Sequence, residues 1–165
     1  MRHDITVELS TRGIEEIIGA LEEFPKWLET KCEELAEKLA SIGATSASIG
    51  FAQAIYDSPH NDFAITVEHS GPSSYTVRAD GHDVLFVEFG AGATMGYGYP
   101  PEEINGMGPG TYNPASDKWQ NPNGWFYRSG GTLYHSYGNP PNMPMYNAVK
   151  NLEQELQTIV SEVFK

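Results

Sequence analysis

Phe63-Ala64-Ile65-Thr66-Val67-Glu68-His69, then Ser70-Gly71-Pro72-Ser73, then Ser74-Tyr75-Thr76-Val77-Arg78-Ala79 is the stretch that decides the fold class. Phe63, Ile65 and Val67 alternate with polar neighbours, as do Tyr75, Val77 and Ala79. A period of two puts each apolar set on one face of a strand. The Ser-Gly-Pro-Ser link carries turn chemistry, so the two strands are expected to run antiparallel. Upstream, Ile49 and Phe51, extendable to Ile55, suggest a further strand, joined through the turn residues Asp57-Ser58-Pro59-His60-Asn61. The reading is a three-stranded antiparallel meander between Thr45 and Asp80.

Before the meander the period changes to that of a helix. Ile14, Ile17, Ile18 and Leu21 share one face, with Glu15, Glu16, Glu22 and Glu23 elsewhere. Pro25 lacks a backbone donor and restricts Phe24, which predicts a break or kink. Leu28, Cys32, Leu35, Leu39 and Ile42 then form a second stripe, and Gly43 is its expected stop. Ahead of these, Ile5, Val7 and Leu9 alternate as a short opening strand that ends at Ser10 or Thr11.

Downstream, Val84 to Phe89 is a short apolar run that periodicity alone fits to a strand or a buried helical turn, with a short helix the favoured reading, and Gly90 to Pro141 is a long Gly/Pro-rich excursion. Inside it, Trp125-Phe126-Tyr127 and Thr132-Leu133-Tyr134 flank Ser129-Gly130-Gly131, which predicts a small hairpin. Asn142 is the expected cap of a last helix with Pro144 in its first turn. Its apolar stripe is Met145, Val149, Leu152, Leu156, Ile159 and Val163. The fold class is therefore α+β: an antiparallel sheet packed on one face by a long amino-terminal helical segment and a carboxy-terminal helix. All 165 residues are expected to form a single domain, with 1–89 as helix and sheet core, 90–141 as loop and hairpin, and 142–165 as the final helix.

The chain has 39% hydrophobic and 19% charged residues, and a formal net charge of −12. Such acidity repels phosphate backbones. The ten Lys and Arg residues are scattered, none falling between Lys38 and Arg78, so no specific nucleic-acid binding and no membrane binding is expected. Cys32 is the single cysteine, which excludes an intrachain disulfide and fits a reducing compartment. Met1 to Leu9 is polar and no stretch approaches the ~20 apolar residues of a membrane span, so the product is expected to be soluble and cytoplasmic when made.

Val87-Glu88-Phe89-Gly90-Ala91-Gly92 follows the helical and strand segments. Gly124-Trp125-Phe126-Tyr127, His135-Ser136-Tyr137-Gly138 and Pro144-Met145-Tyr146-Asn147-Ala148 come after it in that order. In these stretches the chain resembles phage tail-completion or neck proteins of the head-tail joining type, which carry a similar VEFG-small-Gly signature and a similar aromatic carboxy-terminal pattern. It departs from them in Ala91, where the family often has Thr, and in the longer insertion from Ala93 to Asn123. The resemblance implies a noncatalytic structural adaptor, assembled as a homo-oligomeric ring and contacting phage connector and tail proteins. It would occupy the host cytoplasm during assembly and the virion neck or tail afterwards. The residues it singles out for motif or interface roles are Glu88, Phe89, Gly90, Gly92, Trp125, Phe126, Tyr127, Tyr137, Gly138, Pro144 and Met145.

Glu88 in an apolar stretch must be paired, neutralised or locally exposed, and a role capping backbone amides or meeting a basic side chain is favoured over a catalytic one. A hydrolase would need Glu88 with a histidine such as His69 or His135. His3, His60, His69, His82 and His135 show no metal-ligand spacing, and neither the Walker pattern nor G-x-G-x-x-G occurs around Gly90, Gly92, Gly96 and Gly98. No metal or cofactor is therefore expected. Cys32, on a helix stripe, reads as an inert core thiol. Trp119, Trp125, Tyr127, Tyr134 and Tyr137 read first as a protein interface. A carbohydrate or cell-wall binding module using the same rings is the alternative.

Overall fold

The computed structural model describes residues 11–54, 62–92, 99 and 121–165. The opening strand at Ile5, Val7 and Leu9, the turn at 57–61, and most of the insertion at 93–123, with Trp119, lie outside the described residues.

Helix α1 is a single element of 43 residues, Thr11–Gln53, which corrects the expected stop at Gly43 and the expected strand at Ile49 and Phe51 and, of the break or kink expected at Pro25, rules out the break. Pro25 lies inside it without ending it. Proline removes one donor, and the Leu21 carbonyl that would have accepted from it belongs to an exposed residue, where water can take the place of the amide. Gly43 is no stop either. It is buried, and a Cβ there would sit 3.1 Å from Leu152 Cδ1, so glycine serves close helix packing instead. Ile49 and Phe51 belong to the helix, not to a strand. Ala40, Gly43, Ala47 and Phe51 form its buried face at spacings of three and four, while Ile49 points away, half exposed.

Hairpin β1 (Ala64–Gly71) and β2 (Ser74–Asp80) is antiparallel, pairing Ile65 with Ala79, Val67 with Val77 and His69 with Tyr75. Among the described residues it is a two-stranded sheet; the third strand of the expected meander was the helical segment at 49–53. Its inner face meets α1. Phe51 stacks on Phe63 at 5.5 Å, and Val84 and Val87 close the core with Ile65, Ala79 and Met145. Burial of these side chains supplies the main drive for the hairpin to dock on the helix.

Glu33 of α1 latches the hairpin at its turn. Its carboxylate accepts the Tyr75 hydroxyl at 2.7 Å and the Ser73 amide at 2.6 Å, with His69 Nε2 at 3.0 Å. Ser73 holds a left-handed φ of 49°, an uncommon state for serine that this amide bond helps to offset. Tyr75 first, then Ser73 and His69, hold the Glu33 carboxyl below the usual carboxylate range. The same bond pushes the Tyr75 hydroxyl up to about 12.

Helix α2 (Val84–Phe89) is short, as expected. Strands β3 (Trp125–Ser129) and β4 (Thr132–Ser136) form the expected hairpin. Gly130 and Gly131 both take positive φ, as a two-residue type I′ turn requires. Helix α3 (Pro144–Val163) closes the chain and runs antiparallel along α1. Pro144 abuts Gly50, Asn151 donates to Ser46 Oγ, Lys38 pairs with Glu162 at 2.6 Å, and Phe164 meets the Trp27 ring edge-on. The class is α+β, with both long helices and both hairpins in place.

Candidate functional site

The site is a junction between α2 and the start of α3, and Glu88 is its centre. Glu88 is 4% exposed. Its Oε2 accepts the Met145 amide at 2.8 Å, and its Oε1 accepts both the Tyr146 amide at 3.0 Å and the Tyr99 hydroxyl at 3.0 Å. Met145 and Tyr146 are the second and third residues of α3, whose first-turn amides have no partner within the helix. Glu88 therefore caps α3 from another element, where negative charge also suits the positive end of the helix dipole.

This replaces the expected cap. Residue Met143, at φ 56°, occupies the cap position without a side-chain bond to the helix, and Asn142 Nδ2 donates to the Pro140 carbonyl instead. Tyr99 is buried against Phe89 and Tyr146, with ring centroids at 4.7 and 5.7 Å. Burial first, then Glu88, push its hydroxyl well up, so it stays a donor to the carboxylate.

The chain leaves α2 through Gly90, at φ 78°, and reaches an isolated bridge between Ala91 and Asn139, with reciprocal amide bonds of 2.9 and 3.0 Å. Asn139 also donates from Nδ2 to the Phe86 carbonyl at 2.9 Å. Gly92 and Gly138 pack against each other across this bridge with φ of 89° and 94°. A Cβ on Gly138 would overlap the Ala91 carbonyl, and one on Gly92 would lie 2.8 Å from the Tyr137 oxygen and 3.1 Å from the Trp125 ring. The Asn142 amide reaches the Val87 carbonyl at 2.9 Å. Val87 to Gly92, Gly124 to Gly138, and Pro144 to Ala148 thus meet at one place, although they are far apart in sequence.

From this base β3 and β4 project. Trp125 and Tyr127 are half-buried on one face, and Tyr127 stacks on Tyr134. Phe126, Arg128, Leu133 and His135 share the other face by register. His135 bridges Phe126 and Tyr137, at 4.4 and 4.5 Å between ring centroids, and Phe126, Leu133 and Tyr137 are 65%, 56% and 61% exposed. Pro144 is fully buried and Met145 packs on the core.

Sequence reasoning offered nearby backbone amides or a basic side chain as partners of Glu88, and the structure supplies amides, though 57 and 58 residues away; it identified neither Tyr99 nor the Glu33 latch, which local spacing does not reveal. Neither His69 nor His135 is a hydrogen-bond partner of Glu88: His69 lies beside Glu33, and His135 against the Asn123 carbonyl. Cys32 is half-buried. Among the described residues no three His, Cys, Asp or Glu side chains are grouped to hold a metal ion, and no helix is long and apolar enough to cross a membrane. Comparison with protein-family models, with curated proteins and with solved structures finds no match for the chain.

Proposed function

We propose that the chain is a noncatalytic structural adaptor of a tailed phage or prophage, acting at the head-tail junction and assembling through subunit contacts. One observation carries the reading. The four stretches that resemble head-tail joining proteins lie on or beside the Glu88 junction, so they behave as a single structural signature. That junction fixes the root of a hairpin whose outer face is aromatic and exposed, a composition suited to protein contact.

The test is assembly. A phage or prophage lacking this chain, imaged by electron microscopy after induction, should yield DNA-filled heads and free tails, with joining restored by the chain supplied in trans. Normal virions without it overturn the proposal. Tight peptidoglycan or glycan binding that Trp125→Ala abolishes would support the carbohydrate-binding alternative instead.

A further inference from the structure

Among the exposed apolar side chains of the described surface, two groups lie at opposite ends of the α1–α3 pair. The first lies on α1 beyond the point where α3 ends at Trp27. Ile14, Ile18, Leu21, Phe24 and Leu28 follow one another at spacings of three and four, and each is between 39% and 60% exposed. This stripe continues towards Cys32, Leu35 and Leu39, so it prolongs a packed helix seam into solvent. It is lined by acid: Glu15, Glu16, Glu22, Glu23 and Glu29 accompany it, against Arg12 and Lys26. Arg12 is already paired with Glu16 at 3.3 Å.

The second patch is the outer face of β3–β4, with Phe126, Arg128, Leu133, His135 and Tyr137. Its charge is of the opposite sign. Between Lys118 and Lys150 the sequence contains no Asp or Glu, in a chain of net charge −12. Arg128 forms no ion pair among the described residues.

These patches cannot meet within one chain. The hairpin is rooted beside Pro144, which packs on Gly50, and 29 residues of helix separate Gly50 from Leu21, roughly 44 Å at 1.5 Å per residue. Five-residue strands reach only about 17 Å. Nor does either patch suit itself: stripe on stripe would set glutamate rows face to face, and hairpin on hairpin would oppose two Arg128 side chains. We infer that the aromatic, acid-free face of β3–β4 seats on the acidic apolar stripe Ile14–Leu28 of a second copy of this chain. Such a contact is head-to-tail, and when its rotation closes it generates a ring. The inference rests on the proposed adaptor role and names the surfaces that would join its subunits.

Mixing two full-length variants tests it. Leu21→Asp disables the stripe and Phe126→Asp disables the hairpin. Both sites are exposed, so circular dichroism and urea midpoints should match the parent chain. Each variant alone should associate at least about tenfold more weakly than the parent chain in analytical ultracentrifugation. Mixed together they should form a one-to-one pair and nothing larger, because each retains one intact surface. An Arg128→Glu chain should likewise lose association and regain it with a Glu22→Arg, Glu23→Arg partner. A parent chain that remains monomeric at all concentrations overturns the inference, as does a Phe126→Asp chain that associates normally or a mixture that fails to pair. The virion phenotype judges the adaptor role separately, so the two can fail independently.

Discussion

Replacing Glu88 by alanine should cost about 3–5 kcal/mol. The sum comprises about 1 for the lost cap on α3, about 1–3 for an orphaned Tyr99 hydroxyl, and about 1 for the missing methylenes. That is a large share of the roughly 5–15 kcal/mol that stabilises an ordinary domain. Tyr99→Phe, which leaves both amides on the carboxylate, should cost only about 1 kcal/mol. The double variant should be less destabilised than the sum of the singles by about 1–2 kcal/mol, since removing the hydroxyl also removes the orphan. Glu88→Gln should fall between, because its amide nitrogen would face the Met145 N–H. Urea unfolding followed by circular dichroism measures all four. Catalytic carboxylates are often tolerated or even stabilising when removed. A Glu88→Ala chain within about 1 kcal/mol of the parent would therefore refute the cap and reopen a chemical role.

Glycine positions give an internally controlled pair. Gly50→Ala places a Cβ 2.8 Å from Pro144 Cβ and should destabilise by about 1–2 kcal/mol, whereas Gly19→Ala meets nothing within 4 Å and should stabilise by about 0.5–1 kcal/mol, both read as shifts in urea midpoint. Gly138→Ala should break the Ala91–Asn139 bridge and cost about 2–4 kcal/mol, seen as lost hydrogen-exchange protection at both amides. The Glu33–Tyr75 bond sets two pH limits. Glu33 is lowered in the fold, so its contribution is present at neutral pH and is lost as the pH falls through the acid range; Tyr75 is raised from 10.0 to about 12, so its contribution is lost as the pH rises across that interval. Tyr75→Phe should flatten the alkaline loss in a pH series of unfolding curves, and an unchanged profile would refute the latch.

The fold was legible where side chains of one size carried the pattern. The Trp125–Ser136 hairpin and the last helix announce themselves by apolar spacing and by Gly130-Gly131, while Val84 to Phe89 shows its apolar character but not, by spacing, whether it is strand or helix. Residues 43–53 do not, because the buried face leading to Phe51 is built from Gly43 and Ala47, which add little to any hydrophobic period. The two large residues left over, Ile49 and Phe51, then mimic a strand by accident. Pro25 misleads for another reason. It shows a missing donor, but it does not show that the affected carbonyl lies where water can reach it. Of the site, the apolar surroundings of Glu88 showed that its carboxylate needs a partner, without deciding between backbone amides and a basic side chain. The amides it caps lie 57 residues away, and local spacing cannot supply that pairing.

The same small residues explain why the described surface offers two separated patches. Glycine and alanine along α1 let α3 approach closely, with Gly43 against Leu152 and Gly50 against Pro144. That seam is short, because α3 has 20 residues against 43 in α1. The uncovered part of α1 keeps its large apolar side chains but has no neighbour from its own chain among the described residues. At the opposite end, Glu88 fixes the first turn of α3 to α2, and Gly92 and Gly138 fix the hairpin root to the same point. Among the described residues the bare stripe at one end of the helix pair and the anchored aromatic hairpin at the other lie too far apart to cover each other. A second molecule covering both patches would remove this apolar area from water, which is what the proposed adaptor role requires.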